Sequence, residues 1–309
     1  MATPMTSEQY ARFVLPIIRK TWESQMAAVP SGFESLFGIE GSTAAVEYSQ
    51  GIGAAGIVSP YNSASAEGEP AAIKYSSFDT LFEKTFTHAE YADGMAIERK
   101  LFDDDQSGVI RRRAQSFGLK FSNTISYHMA SVFNNAFSAS YVGADSVALC
   151  SASHPYSTSN ANVFSNAGTS ALSYANITAT IAAGAALVDD KGYPMPVIYD
   201  RLIVPPALEA TAREIVNAMG KPGTANNDAN SLDGRGLQLI SSPWLSDANN
   251  WFMVDSRMAP MHLLWYWRVK PEVTLDPSSD FNLMAKYRGY MRMSYGWDDP
   301  RFIFGQNVT

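Results

Sequence analysis

The sequence predicts an α+β fold, on three observations. Residues Ser107 to Phe137 contain no proline and carry an apolar stripe at helical spacing. The segments Ala44 to Leu101 and Glu272 to Phe304 alternate apolar with polar side chains, as half-exposed strands do. Between the helix and the second of these, helix and strand signals follow one another through a region that opens rich in Ser, Ala, Asn and Gly.

The elements follow in order. Apolar side chains at Tyr10, Phe13, Val14, Ile17, Ile18, Trp22 and Met26 predict one amphipathic helix over 5–27, interrupted or started by Pro16, within an arm of residues 1–44. Alternation in Ala45 to Tyr48, Ile73 to Tyr75, Phe82 to His88 and Met95 to Glu98 predicts strands around a soft tip, Gly51 to Pro70. Residues 45–102 therefore read as an extended hairpin, which must lie on something else because an isolated hairpin is marginal in water. Asp103 to Asp105 offer capping chemistry, and Ile110, Phe117, Phe121, Ile125, Met129, Phe133 and Phe137 form the stripe of a spine helix within 103–138. Such a helix, about 46 Å long, exceeds the width of a small domain.

A small-residue helix is expected from Ser173 to Val188, then a buried strand from Tyr199 to Val204 stopped by Pro205 and Pro206. Pro206 opens a helix with Leu208, Ala212, Ile215 and Met219 on its apolar face, closed by Gly220 and Pro222. Strands are predicted at Gly236 to Ile240, Trp251 to Val254 and Leu263 to Val269. Leu283, Ala285, Tyr287, Gly289, Met291 and Met293 then share one face of a last strand region.

Composition narrows the function. The chain has 309 residues with 23 basic and 30 acidic side chains, 17% charged, about 24 fewer than is usual at this length. Spread over the roughly 13,000 Å² of a compact monomer, these charges make a thin coat, while aromatics reach 12% and Met numbers 13. That combination is typical of large protein interfaces. The gap is widest over 106–188, which predicts contact surface on the later turns of the spine and just after it. No apolar run is long enough to span a membrane, and Met1 to Tyr10 lacks the order of a signal peptide, which predicts a cytosolic protein. A net charge of -7 and a pI near 5.1 argue against an extended nucleic-acid surface, so any DNA contact is local.

Catalytic, cofactor and metal motifs do not emerge. Asp103 to Asp105 lack EF-hand spacing, and no CxxC accompanies the lone Cys150. Cys150 and His154 could suggest a thiol nucleophile with its base, but no third group stands nearby in sequence and a buried thiol beside a turn is the better reading. His88, His128 and His262 are isolated, while Asp189-Asp190 and Asp298-Asp299 read as turns. Gly51 to Gly56 matches GxGxxG in letters only, with no βαβ unit around it. Arg111, Arg112 and Arg113 are the patch that needs partners, since cations in the first helical turns oppose the macrodipole. Three sources stand open: Asp103 to Asp105, acidic side chains of a neighbouring copy, or packaged nucleic acid.

The order of parts, together with Tyr91 to Arg99, Ser153-His154-Pro155-Tyr156-Ser157, Leu202 to Glu209 with Ala212-Arg213, and Tyr287 to Tyr290 with Gly296 to Arg301, resembles the Hong Kong 97-type major capsid proteins of tailed bacteriophages. In detail it is most similar to the Mu-like major head subunits. The resemblance implies an N-terminal arm (1–44), an E-loop (45–102), the spine of a P-domain (103–138), an A-domain (139–267) and returning P-domain strands (268–309). It implies a structural protein of the virion, assembled in the host cytoplasm, without enzymatic activity or cofactor. Hexamers and pentamers of the subunit would form an icosahedral shell around double-stranded DNA. The hairpin would cover a neighbour's P-domain, hiding Ile73, Phe82 and Phe86, with Arg111 to Arg113 as further intersubunit contacts, and the arm would reach a neighbour. Members with a fused scaffold carry extra residues ahead of the E-loop, where here only the arm stands, which implies a separate scaffolding protein or a processed chain; Met1 favours the first, and a portal and a possible decoration protein are expected with it. The rival readings are an encapsulin-like compartment holding cargo enzymes, and a hydrolase using Cys150 or His154.

Overall fold

The computed structural model describes residues 7–26, 32–53, 80–98, 100, 108–158, 160, 162–218, 220, 229–276 and 284–309. The spine helix runs Val109–Asn134 and buries Ile110, Phe117, Phe121, Met129 and Phe133, with Ile125 and Phe137 packed at the margin, so the expected stripe is the buried one. Its N-terminus differs from expectation. The capping position is Gly108, at φ 68°, with no side-chain cap, and Asp103 to Asp105 lie outside the described residues.

One face of a four-stranded sheet packs on the spine. Its order is β1 (Gly38–Gly41), β11 (Leu263–Leu275), β12 (Met284–Trp297) and β4 (Ala89–Glu98), with β1 parallel to β11 and the other pairs antiparallel. The apolar face of β12 is the one its alternation predicts: Tyr287, Gly289, Met291 and Met293 are buried. The arm helix, Ser7–Met26, lies along its own spine. Its buried Ile18 and Trp22 provide the reason, the Trp22 ring meeting Phe121 edge-on at 5.7 Å, and Arg19 donates to the Val273 carbonyl at 3.1 Å. Ile17, counted with the apolar face, is exposed.

The hairpin consists of β2 (Val46–Ile52) and β3 (Thr80–Thr87), paired antiparallel as a sheet of their own; residues 54–79, which include Ile73, lie outside the described set. β4 belongs elsewhere, paired along its length with β12. His88 marks the change of partner. It is buried between β3 and β4, with Ser42 Oγ and Ser294 Oγ each 3.0 Å from a ring nitrogen.

After a short antiparallel pair, β5 (His154–Pro155) and β6 (Val163–Phe164), a second sheet has the order β7 (Ala167–Gly168), β13 (Ile303–Gln306), β10 (Trp251–Val254), β8 (Arg201–Val204) and β9 (Gln238–Ser241). β8, the helix Glu209–Asn217 and β9 form a parallel crossover unit, with Ala212, Ile215 and Val216 turned to the core. This helix ends at Asn217, earlier than Gly220, because Ala218 is already extended. The small-residue helix, Tyr174–Ala185, is capped by Ser173 accepting from the Asn176 amide. In the later spine turns Met129 to Phe133 are buried inside the subunit, which accounts for the absence of charge there, while Tyr127 is exposed.

Candidate intersubunit interface

Three parts of the chain meet beside the hairpin: the loop from Asp145 to Phe164, the turn from Trp297 to Arg301, and the hairpin strands. His154, fully buried, holds Nδ1 2.5 Å from Asp145 Oδ2 and stacks on Phe164. Arg301 donates to the Tyr156 carbonyl at 3.1 Å, and its guanidinium lies 5.8 and 5.4 Å from the ring centroids of Tyr156 and Phe164. Asp299 caps the following turn by accepting from the Arg301 amide. The buried Asn166 side chain donates to the carbonyls of Leu149 and Pro300. Two of the short segments singled out in the sequence, Ser153 to Ser157 and Gly296 to Arg301, thus build one junction.

The hairpin is tied to this junction by polar contacts. Ser49 donates to Asp298 Oδ2 at 2.7 Å, and Lys84 donates to the Val142 carbonyl at 2.7 Å. His262 Nδ1 lies 2.9 Å from Asp298 Oδ1. Burial lowers the His262 imidazole pKa, but the Asp298 hydrogen bond and the charges of Asp299 and Asp298 outweigh it and hold it above its ordinary value. Burial likewise raises the Asp298 carboxyl pKa, and His262 together with Ser49 outweighs it, so the carboxyl sits below its usual range. The enclosed cavity among Phe82, Asp145, Tyr156 and Arg301 measures about 20 Å³, room for about one water and far below a ligand pocket.

The predicted contact residues separate. Phe86 is 2% exposed, packed on Leu264 and Tyr266 of its own chain, with the Tyr266 ring edge-on at 5.3 Å, so it has no face left for a neighbour. Phe82, two alternations away, is half-buried against the junction, and Ile73 lies outside the described residues. Arg111, Arg112 and Arg113 are exposed, and among the described residues none of them forms an ion pair. Arg112 and Arg113 line a shallow groove of about 400 Å³ between the spine and β4, together with Met95, Phe117 and Lys120.

Cys150 offers no nucleophile. Its thiol is buried, and burial pushes its pKa far above the usual thiol range. Sequence reasoning missed Asp145 as the partner of His154, Arg301 as the clamp of the junction and Asn166 as its bridge. Asp145 was within reach of the sequence, nine residues before a histidine in a small-residue loop; the other two give no local signal.

Among curated proteins no match is found. The capsid of the cyanophage P-SCSP1u is similar in structure, with a TM-score of 0.57 and 12% identity over 90% of this chain and 88% of that one. The capsid of bacteriophage JBD30 decorated with minor capsid protein trimers gives a TM-score of 0.52 and 14% identity over 71% and 92%. A virus-like particle from Pyrococcus furiosus gives 0.54 and 10% over 94% and 98%. These likenesses establish the Hong Kong 97-type fold. The pattern of a family described as phage capsid protein matches residues 82–305, from the second hairpin strand through both sheets to β13. With that match spanning most of the chain, it belongs to the phage capsid protein family.

Proposed function

We propose that the chain is the major head subunit of an icosahedral phage shell, of the Mu-like kind, assembling as hexamers and pentamers around double-stranded DNA. The observation that carries this reading is the hairpin β2–β3. It forms a two-stranded sheet of its own, with Tyr48 64% exposed. A two-stranded ribbon gains stability by lying on further surface, and in a shell the neighbouring subunit supplies that surface. The sheet on the spine then corresponds to the P-domain, the five-stranded sheet to the A-domain and the hairpin to the E-loop. Ile73, the outer edge of Phe82 and Arg111 to Arg113 are the contacts we assign to neighbouring copies.

Partners follow from that assignment: a separate scaffolding protein, a portal, DNA against the inner face, and a decoration protein such as the trimers named on the JBD30 capsid. Assembly takes place in the host cytoplasm, and the subunit performs no catalysis. The family match favours this reading over an encapsulin-like compartment with cargo enzymes. Electron microscopy of the purified protein tests it. Closed shells hundreds of ångströms across are expected, with nucleic acid inside native particles; a persistent monodisperse monomer would refute the proposal. Replacing Arg111, Arg112 and Arg113 together by Ala should lower the yield of shells while leaving the thermal unfolding of the free subunit unchanged, and loss of that unfolding transition would place the arginines' partners inside the subunit.

A further inference from the structure

The two sheets present four edges, and they differ sharply. β1, β7 and β9 are edge strands of 4, 2 and 4 residues, whereas β4 has 10. Short strands, lysines, prolines and bulges are the usual protection of an exposed edge. β4, with the sequence AEYADGMAIE, has neither Lys nor Pro and pairs with β12 in continuous register. Its carboxylates are partly engaged within the subunit, Asp93 by Lys120 and Glu90 near Arg292 at 3.7 Å. Ala92, Gly94 and Ala96 are small and exposed, leaving room for a close approach of backbone.

Beside this edge runs the space between β4 and the spine. It opens as two grooves, of about 290 and 400 Å³, that share Lys120. The floor is apolar, with Phe121 and Met291 in one groove and Met95 and Phe117 in the other. At the end near the spine's first turns the lining includes, among the described residues, Arg112, Arg113 and Lys120 and no carboxylate, Lys120 being engaged by Asp93. The chain as a whole carries a net charge of -7, so a cationic groove complements the average surface of another copy of the same chain.

We infer that β4 receives a strand from a second copy of this chain, hydrogen-bonded along its free edge, with carboxylate side chains of that copy turned into the groove toward Arg112 and Arg113. Strand addition at an open edge supplies affinity through the main chain and specificity through alternate side chains. The inference rests on the shell-forming reading and names one of its contacts. Arg111, outside the groove lining, takes no part in it.

Hydrogen exchange read by mass spectrometry on free subunits and on assembled shells tests it. Exchange over Ala89–Glu98 should slow at least tenfold on assembly, and the double charge reversal R112E/R113E should cut the assembled fraction severalfold, with the melting temperature of the free subunit unchanged. Shells whose β4 amides exchange as fast as those of free subunits would overturn the docking and leave the shell reading standing. β4 amides equally slow in the free subunit would show the edge covered by the subunit's own residues and would also overturn it. Full assembly of R112E/R113E would remove the charge pairing. Failure of the unaltered chain to form any particle would defeat both readings together.

Discussion

Arg301 is 5% exposed and always charged, so its surroundings have to compensate the loss of water. They do so with the Tyr156 carbonyl, the two ring faces and the nearby Asp299 carboxylate at 3.7 Å. A lysine has the same charge but no planar fork to lie between rings while donating to a carbonyl. We expect Arg301→Lys to destabilise the free subunit and Arg301→Ala to cost about 2–3 kcal/mol, measured as the shift in urea midpoint; a lysine variant as stable as the original would contradict this role. Gly289 makes a second prediction. A β-carbon there would stand 2.4 Å from Phe121 Cζ, so Gly289→Ala has to push the spine from the sheet, an overpacking that costs about 1–3 kcal/mol and should appear as a lower melting temperature. Neither role was legible in the sequence. Gly289 counted there as one more member of an alternating face, and Arg301 as one residue of a short motif, because the rings that each one meets are contributed by segments more than a hundred residues away.

Among the elements, the spine was the most legible, since an apolar stripe sustained over many turns has no other reading than a buried helix face. The hairpin was read less well. Alternation reports that a strand has two unlike faces and says nothing of its partner, so β4 looked like hairpin sequence although it completes the sheet on the spine. The same ambiguity hid Phe86, whose place inward or outward depends on which sheet lies beneath it. The arm helix shows a related gap: its apolar face predicted burial, and the burying surface is its own spine. The attachment of the hairpin carries a pH dependence of defined sign. His262 is held above its unfolded value, so its contribution is complete below about pH 6.5 and fades as pH rises through the folded value. Asp298 is held below its own, so its contribution is complete above about pH 3.9 and is lost as pH falls through the folded value. The pair is therefore strongest in mildly acidic solution. Protection of the β2 and β3 amides, taken relative to their intrinsic exchange at each pH, should be greatest there and fall above neutrality, and Asp298→Asn should flatten that profile; an unaltered profile in the variant would show that the hairpin is held by other contacts.

For the whole molecule, the charge deficit had two sources that composition merges. Part of it is interior, as in the later spine turns, where uncharged Ser, Ala and Phe lie under the second sheet and the arm. The rest is surface. Fold class and assembly were thus legible in the sequence because they depend on many residues at once, while individual contact residues depend on which sheet a strand joins. The position of β13 has a consequence in time. It is inserted between β7 and β10 and so completes the second sheet from the inside. On a ribosome, everything from Ala167 onward waits for Gln306 before that sheet can close. A growing chain therefore has no finished second sheet until Gln306 has been added.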